Sequence, residues 1–182
     1  MNSSLGHILL IANPAAQSGA GAAAADKAAA NLRAALGDDA VTVARTAGPR
    51  HACAIAEGVQ GVQTVVALGG DGLIHEVVNG LMTRPVGDRP QLGVIPVGSG
   101  NDYARTLGVP AKVDRACDLL LSACPQPADV GRVNGSFFAE TLSFGLDAAI
   151  ALDTMERRKR TGRHGLRCTW QAVSISCSII LT

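Results

Sequence analysis

Aromatic residues are scarce in this chain: three Phe, one Trp and one Tyr among 182 residues. Abundant Ala and Gly take their place, which suits helices packed closely on a sheet. An excess of one charge is also missing. Sixteen Lys and Arg against fifteen Asp and Glu leave a net charge of +1, so no strong global field draws nucleic acid or an acidic membrane. The five cysteines contain no Cys-x-x-Cys pair; the odd count and scattered spacing exclude a zinc site and a disulfide framework, and fit a reducing cytosol. The N-terminus lacks a cationic region, and its apolar run over residues 8–12 is too short for a signal peptide. No stretch approaches the roughly 20 apolar residues that would cross a bilayer. Gly-x4-Gly-Lys-Ser/Thr is absent as well, which removes the P-loop NTPases.

What is present reads as a buried α/β core. Hydrophobic residues make up 47% of the chain, and the length allows one full α/β domain with the start of a second. Strands are expected over residues 6–12, 41–44, 62–68 and 91–97, and helices over 20–36, 73–81 and 111–123. Gly37 stops the first helix, and Pro49 fits the first position of a helix reaching Gly58. Leu119, Leu120 and Leu121 are expected in the core. Asn134-Gly135 marks a hairpin between residues 128–133 and 137–144. Alternation of strand and helix as far as residue 125 implies right-handed βαβ units and a parallel sheet. A change to antiparallel structure is placed near residue 127, giving a nucleotide-binding domain over 1–127 and a partial, truncated second domain over 128–182, which contains the apolar run 173–181.

Three Gly-rich loops fall where parallel strands end, at 13–21, 69–72 and 98–102. That edge is where open α/β sheets bind ligands. Glycine lets backbone N–H groups approach phosphate, and the following helix adds its positive end. Three such loops together suggest a polyphosphate. Gly19-x-Gly21-x-x-Ala24 matches the permissive dinucleotide pattern, but it starts beyond the strand end in an Ala/Gly-biased stretch and reads as chance. Asp71 has two readings by residue type: an acid at the start of the next helix, or a carboxylate that orients or deprotonates an attacking hydroxyl. Glu76 and Asn79 are placed on the same helical face as Asp71. His75 has no second His or Cys at ligand spacing, so a surface or packing role is expected and no metal ligand is assigned. The cluster 157–160 (Arg-Arg-Lys-Arg) reads as a solvated helix end, with contact to anionic headgroups as its functional alternative.

Taken together the loops resemble the diacylglycerol kinase catalytic-domain family, which includes bacterial lipid kinases and sphingosine kinases. Asn13-Pro14 with Ser18-Gly19 is similar to its first nucleotide loop, and residues 69–80, from Gly-Gly-Asp-Gly to Asn-Gly, follow its signature. Residues 96–105 resemble its third motif, and 129–134, Phe138 and 143–148 resemble the opening of its second domain. The resemblance implies a Rossmann-like three-layer α/β domain followed by the beginning of a β-sandwich. It implies an ATP site lined by Asn13, Thr46, Gly69, Gly70, Asp71, Gly72, Glu76, Gly98, Ser99 and Asn101. Thr46 rests on the weaker pattern Thr-x4-His-Ala. It makes Asp71 the essential carboxylate and shifts its weighing toward catalysis. The implied reaction is transfer of the ATP γ-phosphate, with Mg²⁺, to a lipid hydroxyl of diacylglycerol or a long-chain base. It takes place at a membrane surface that a cytoplasmic protein visits transiently. Nucleic acid is not expected as a partner, and a homodimer is an open alternative to a monomer. Leu73 and His75 follow the sphingosine kinase pattern while residues 101–105 follow the bacterial one, so the lipid stays undecided. Glu140 stands where many relatives carry Asn. Two rivals remain: an NAD kinase-like enzyme with a similar glycine loop, and a nucleotide-binding remnant without turnover.

Overall fold

The structure, a computed structural model, describes residues 5–140 and, beyond them, positions 142, 152, 153, 156 and 160. The readings on residues 143–148, on 157–159 and on 173–181 lie outside the described residues. The chain divides into two units, Met1–Glu140 and Thr141–Thr182, and the fold below is that of the first.

Four strands form one parallel sheet in the order β2-β1-β3-β4: β1 Ile8–Ala12, β2 Val41–Arg45, β3 Thr64–Gly69 and β4 Gln91–Pro96. Every residue of β1 and β3 is buried. Continuous apolar runs, rather than alternating ones, follow from helices covering both faces. Ile8, Leu10 and Ala12 point to one face, with α1 (Ala20–Leu36) and α5 (Val113–Ser122). Leu9 and Ile11 point to the other, with α2 (His51–Gly58) and α3 (Asp71–Met82). In α1 the buried stripe is Ala25, Ala28, Ala29 and Leu32, the three-and-four spacing of a single face. The helix stops at Gly37, at φ 99, a conformation that costs other residues strain.

Three local expectations need correction. Pro49 is not the first residue of α2: the helix starts at His51 after Arg50, which is left-handed at φ 64, because α2 is capped from another helix. The expected burial of Leu119 to Leu121 holds only in part: Ala116 and Cys117 are the fully buried residues of α5, Leu120 and Leu121 are half-buried against the core, and Leu119 is 36% exposed. Among the described residues β4 is the edge strand of the sheet; Leu119 and Leu120 line an apolar groove of about 480 Å³ beside it, with Leu92, Leu107 and Val130. The third difference is at the start of β3, which begins at Thr64 and not at Val62. The buried Thr64 hydroxyl donates to the Leu5 carbonyl at 2.6 Å, which satisfies a group that would otherwise be costly to bury.

The hairpin forms as expected but is shorter, with β5 Gly131–Val133 antiparallel to β6 Ser136–Phe138. Asn134 (φ 47) and Gly135 (φ 83) both take positive φ, as a tight two-residue turn of this hand requires. Among the described residues no helix is long and apolar enough to cross a membrane.

Candidate functional site

All four strands run the same way, so the segments leaving their carboxyl ends emerge on one edge of the sheet. Backbone hydrogen bonds tie these segments together. The Asn13 N–H donates to Leu68 O at 3.2 Å, that of Thr46 to Ala12 O at 2.9 Å and that of Val97 to Gly69 O at 2.8 Å. The structure thus brings together the loops carrying Asn13, Thr46, Gly69, Gly70, Asp71, Gly72, Gly98, Ser99 and Asn101.

The first loop turns at Asn13, whose Oδ1 accepts the Ala15 N–H at 3.0 Å. Gln17, Ser18 and Gly19 then follow with φ of 46, 58 and 102. Left-handed backbone costs of order 1 kcal/mol or more at each residue other than glycine, and persists where the surroundings over-determine it. Here the Gln17 side chain reaches across to donate to the Gly98 carbonyl at 2.8 Å. Gly21, in the first turn of α1, lies against the Asn13 carbonyl oxygen so closely that a methyl group would collide with it. That contact is a packing reason for part of the Gly-x-Gly pattern.

The second and third loops touch backbone to backbone. A methyl on Gly98 would collide with Gly70 Cα, and one on Gly70 would sit 3.1 Å from Gly98 Cα, so position 98 needs glycine and position 70 is tight. Asp71 is the first residue of α3, and Gly70 precedes it as N-cap with no side-chain cap bond. Its carboxylate does not cap its own helix. Oδ1 accepts the N–H of Tyr103 at 3.2 Å, the second residue of the short helix α4 (Asp102–Thr106). The other oxygen faces Gly100. The point where a Cβ of Gly100 would stand lies 3.0 Å from Asp71 Oδ2 and 3.3 Å from Asp102 Oδ2. Two carboxylate oxygens therefore look into one small space that exists because residue 100 has no side chain. Asp102 Oδ1 is paired with Arg105 at 3.0 Å, and Arg105 also donates to Gly100 O at 2.8 Å. Asp102 is the residue that sequence reasoning missed; its signal was an acid two positions after Gly100 in a phosphate-type loop.

The remaining expected residues divide. Ser99 is exposed, as is Gly72. Asn101 spends its amide inside its own loop, accepting the Gly98 N–H at 2.8 Å and donating to Gly98 O at 2.9 Å. Glu76 is not on the Asp71 face: five residues on, it stands about 140° round the helix. Its carboxylate accepts backbone N–H groups of α2, from Arg50 at 2.8 Å and Ala52 at 3.1 Å. Asn79 faces a third neighbour. Its amide donates to Phe137 O and accepts the Phe137 N–H, both at 2.9 Å, acting as a rung that fastens the hairpin to α3. His75 is exposed and 3.4 Å from the Asn79 amide, consistent with its surface reading. Glu140 accepts from the Thr106 hydroxyl at 3.2 Å, and adds to burial, the larger cause, in raising the Tyr103 phenol above its ordinary pKa. Among the described residues no three His, Cys, Asp or Glu side chains are grouped to hold a metal unaided.

The chain is similar to known proteins in both sequence and fold. The family described as "Diacylglycerol kinase catalytic domain" matches residues 7–133. A diacylglycerol kinase of Bacillus subtilis (strain 168) is 43% identical over 96 residues, which cover 52% of this chain and 31% of the relative. A probable lipid kinase YegS-like of Chromohalobacter salexigens is 39% identical over 100 residues, 55% of this chain and 32% of the relative. Among solved structures, a diacylglycerol kinase from Bacillus anthracis str. Sterne superposes with a TM-score of 0.65 at 34% identity, covering 74% of this chain and 46% of that one. The chain thus matches less than a third of the length of these curated relatives and under half of the solved one.

Proposed function

The chain belongs to the diacylglycerol kinase catalytic-domain family, and from that premise we propose that it supplies the nucleotide side of an ATP-dependent lipid kinase. One observation carries the reading: two carboxylate oxygens, of Asp71 and Asp102, meet over Gly100 at the edge where the glycine loops converge. A phosphate ligand there is favoured by loop N–H groups and by the positive ends of α1 and α3. Asn13, Thr46, Gly69, Gly70, Gly72, Gly98, Ser99 and Asn101 border the nucleotide in this reading, with Glu76 behind them.

The reaction forms a bond between the lipid hydroxyl oxygen and the γ-phosphorus and breaks the bond from that phosphorus to the bridging oxygen. ADP leaves, and the hydroxyl proton goes to Asp71. The Tyr103 N–H holds Asp71 Oδ1, which leaves Oδ2 to meet the hydroxyl. Such a carboxylate contributes about 10²- to 10⁴-fold by taking the proton as the bond forms. The residues fit Mg²⁺, since that ion is usually held by one or two carboxylates with substrate phosphates completing the shell. Asp102 Oδ2 would hold it, with Asp71 Oδ2 kept for the hydroxyl. When bound, the ion neutralises charge on the transferring phosphoryl group.

The acceptor is a lipid hydroxyl at a membrane surface, diacylglycerol or a long-chain base, approached transiently from the cytoplasm. We keep the division into a nucleotide domain over 1–127 and the beginning of a lipid-side domain over 128–182. The second reading is nucleotide binding without turnover. Calorimetric titration with ATP and Mg²⁺, followed by ADP release with mixed lipid vesicles, separates the two. Binding with release supports the kinase, binding alone supports the second reading, and no ATP binding at millimolar concentration sinks both.

A further inference from the structure

The start of α2 has no side-chain acceptor of its own for its first N–H groups. Its N-cap is Arg50, which makes no side-chain cap bond, and its first turn holds no acidic residue. The acceptor comes from α3. Glu76 Oε1 takes the N–H of Arg50 and Oε2 takes that of Ala52, so both oxygens of one carboxylate serve the positive end of the neighbouring helix. Hydrogen bonds of this charge-assisted kind are the stronger ones, and the anion complements the helix dipole.

The two helices are close enough for this because Gly80, one turn further along α3, has no side chain. A methyl there would collide with the Cys53 carbonyl oxygen and stand 2.8 Å from Ala56 Cβ. Ahead of α2, residues 46–51 form a closed loop. The Thr46 N–H is held by Ala12 O at 2.9 Å, that of Ala47 by His51 Nδ1 at 2.9 Å, and that of His51 by Gly48 O at 3.3 Å. One end of this loop is therefore anchored on β1 and the other on Glu76.

We infer that Glu76 is a positioning residue, which caps α2 from outside and so fixes the loop that presents Thr46 to the nucleotide, without touching the nucleotide itself. Both oxygens already accept backbone N–H groups, and a bare carboxylate beside phosphate would repel it. The purpose of the loop rests on the nucleotide-site reading; the capping does not.

The test uses the full chain and the variants Glu76→Gln, Glu76→Asp, Thr46→Val and Glu76→Gln with Thr46→Val. Gln offers one acceptor where Glu offers two, and its amino group faces an N–H. Backbone hydrogen exchange at Arg50 and Ala52 should accelerate about tenfold or more in Glu76→Gln, with β1 and β3 unchanged and partial protection kept in Glu76→Asp. If Glu76→Gln fails to fold, Glu76→Asp alone must still show faster exchange at these two amides. ATP affinity should fall about tenfold in either Glu76→Gln or Thr46→Val, and the double variant should bind no worse than the weaker single one. Unchanged exchange at Arg50 and Ala52 overturns the inference. So do additive losses of affinity, which would make Glu76 an independent contact. Should the parent chain bind no ATP, the nucleotide reading fails, and exchange alone decides whether Glu76 caps α2.

Discussion

The two faces of the sheet are built by different means. On one face α1 and α5 are held by small apolar residues, Ala25, Ala28, Ala29, Ala116 and Cys117, and by exposed polar links at the rim. Lys27 reaches Asp114 at 2.7 Å and Asn31 reaches it at 2.9 Å, and Arg45 pairs with Asp26. On the other face α2 and α3 are joined by the contact at Gly80 and by the Glu76 carboxylate, and α3 also carries Asp71 and the Asn79 rung. The first face is fastened by contacts that tolerate change, since exposed ion pairs contribute little. On the second, Gly80 leaves no room for a methyl group between α2 and α3.

Substitutions should expose this asymmetry. Asp71→Asn should lower lipid phosphorylation by about 10³-fold with an unchanged urea midpoint, read in an intact homologous protein; full residual activity would deny the proposed role. Gly80→Ala should destabilise by about 3 kcal/mol through overpacking, although the same change in an unhindered helix usually stabilises. Urea unfolding decides the sign, and a gain in stability would mean that α2 and α3 can separate freely. Asn79→Ala should cost about 1 to 2 kcal/mol, since it leaves the Phe137 N–H and carbonyl without their partner. Faster exchange confined to residues 131–138 would locate the loss in the hairpin.

The other face should respond less. Burial pushes the Cys117 thiol up to about 11, with Asp114 adding to the effect, so it should resist alkylation at neutral pH while the exposed Cys124 reacts. Peptide mapping after iodoacetamide checks this, and equal labelling would show that α5 opens readily. The smallest effect is expected at Asp114. Hydrogen bonds from Lys27, and then Asn31, hold its carboxyl below the usual carboxylate range. A carboxylate with a lowered folded pKa stabilises above its unfolded pKa, and that contribution goes as pH falls through the folded value. Lys27→Ala should therefore raise the Asp114 titration seen by carboxyl NMR and leave neutral-pH stability almost unchanged. An unmoved titration would show that the pair is not formed in solution.

Much of this was legible in the sequence. β1 and β3 are nearly continuous apolar runs, and Gly37 and Asn134-Gly135 mark a helix end and a hairpin turn by backbone needs that few other residues meet. The glycine loops appear where the strands end, and Asp71 stands out among glycines. What stayed hidden is what depends on a neighbour distant in sequence. Pro49 suits a helix start by local rules, but an acceptor 26 residues away starts α2 at His51 instead. Leu119 belongs to an apolar run, yet it is 36% exposed on α5. Asp102 gains meaning from lying across Gly100 from Asp71, and Asn79 from a hairpin 58 residues later; neither pairing leaves a periodic trace.

The Gly98 carbonyl receives two side-chain amides, from Gln17 in the first loop and Asn101 in its own. Rotating the peptide plane between Gly98 and Ser99 would break both bonds at once. The direction of the Ser99 N–H is thereby set before any ligand arrives, because the N–H of a planar trans peptide points opposite to its carbonyl. A ligand that uses this amide meets a donor already aimed, and the entropy of orienting it is lost on folding instead of on binding. Gln17→Ala should free that plane in part, so that the peptide samples both orientations and only one of them presents its hydrogen to an anion.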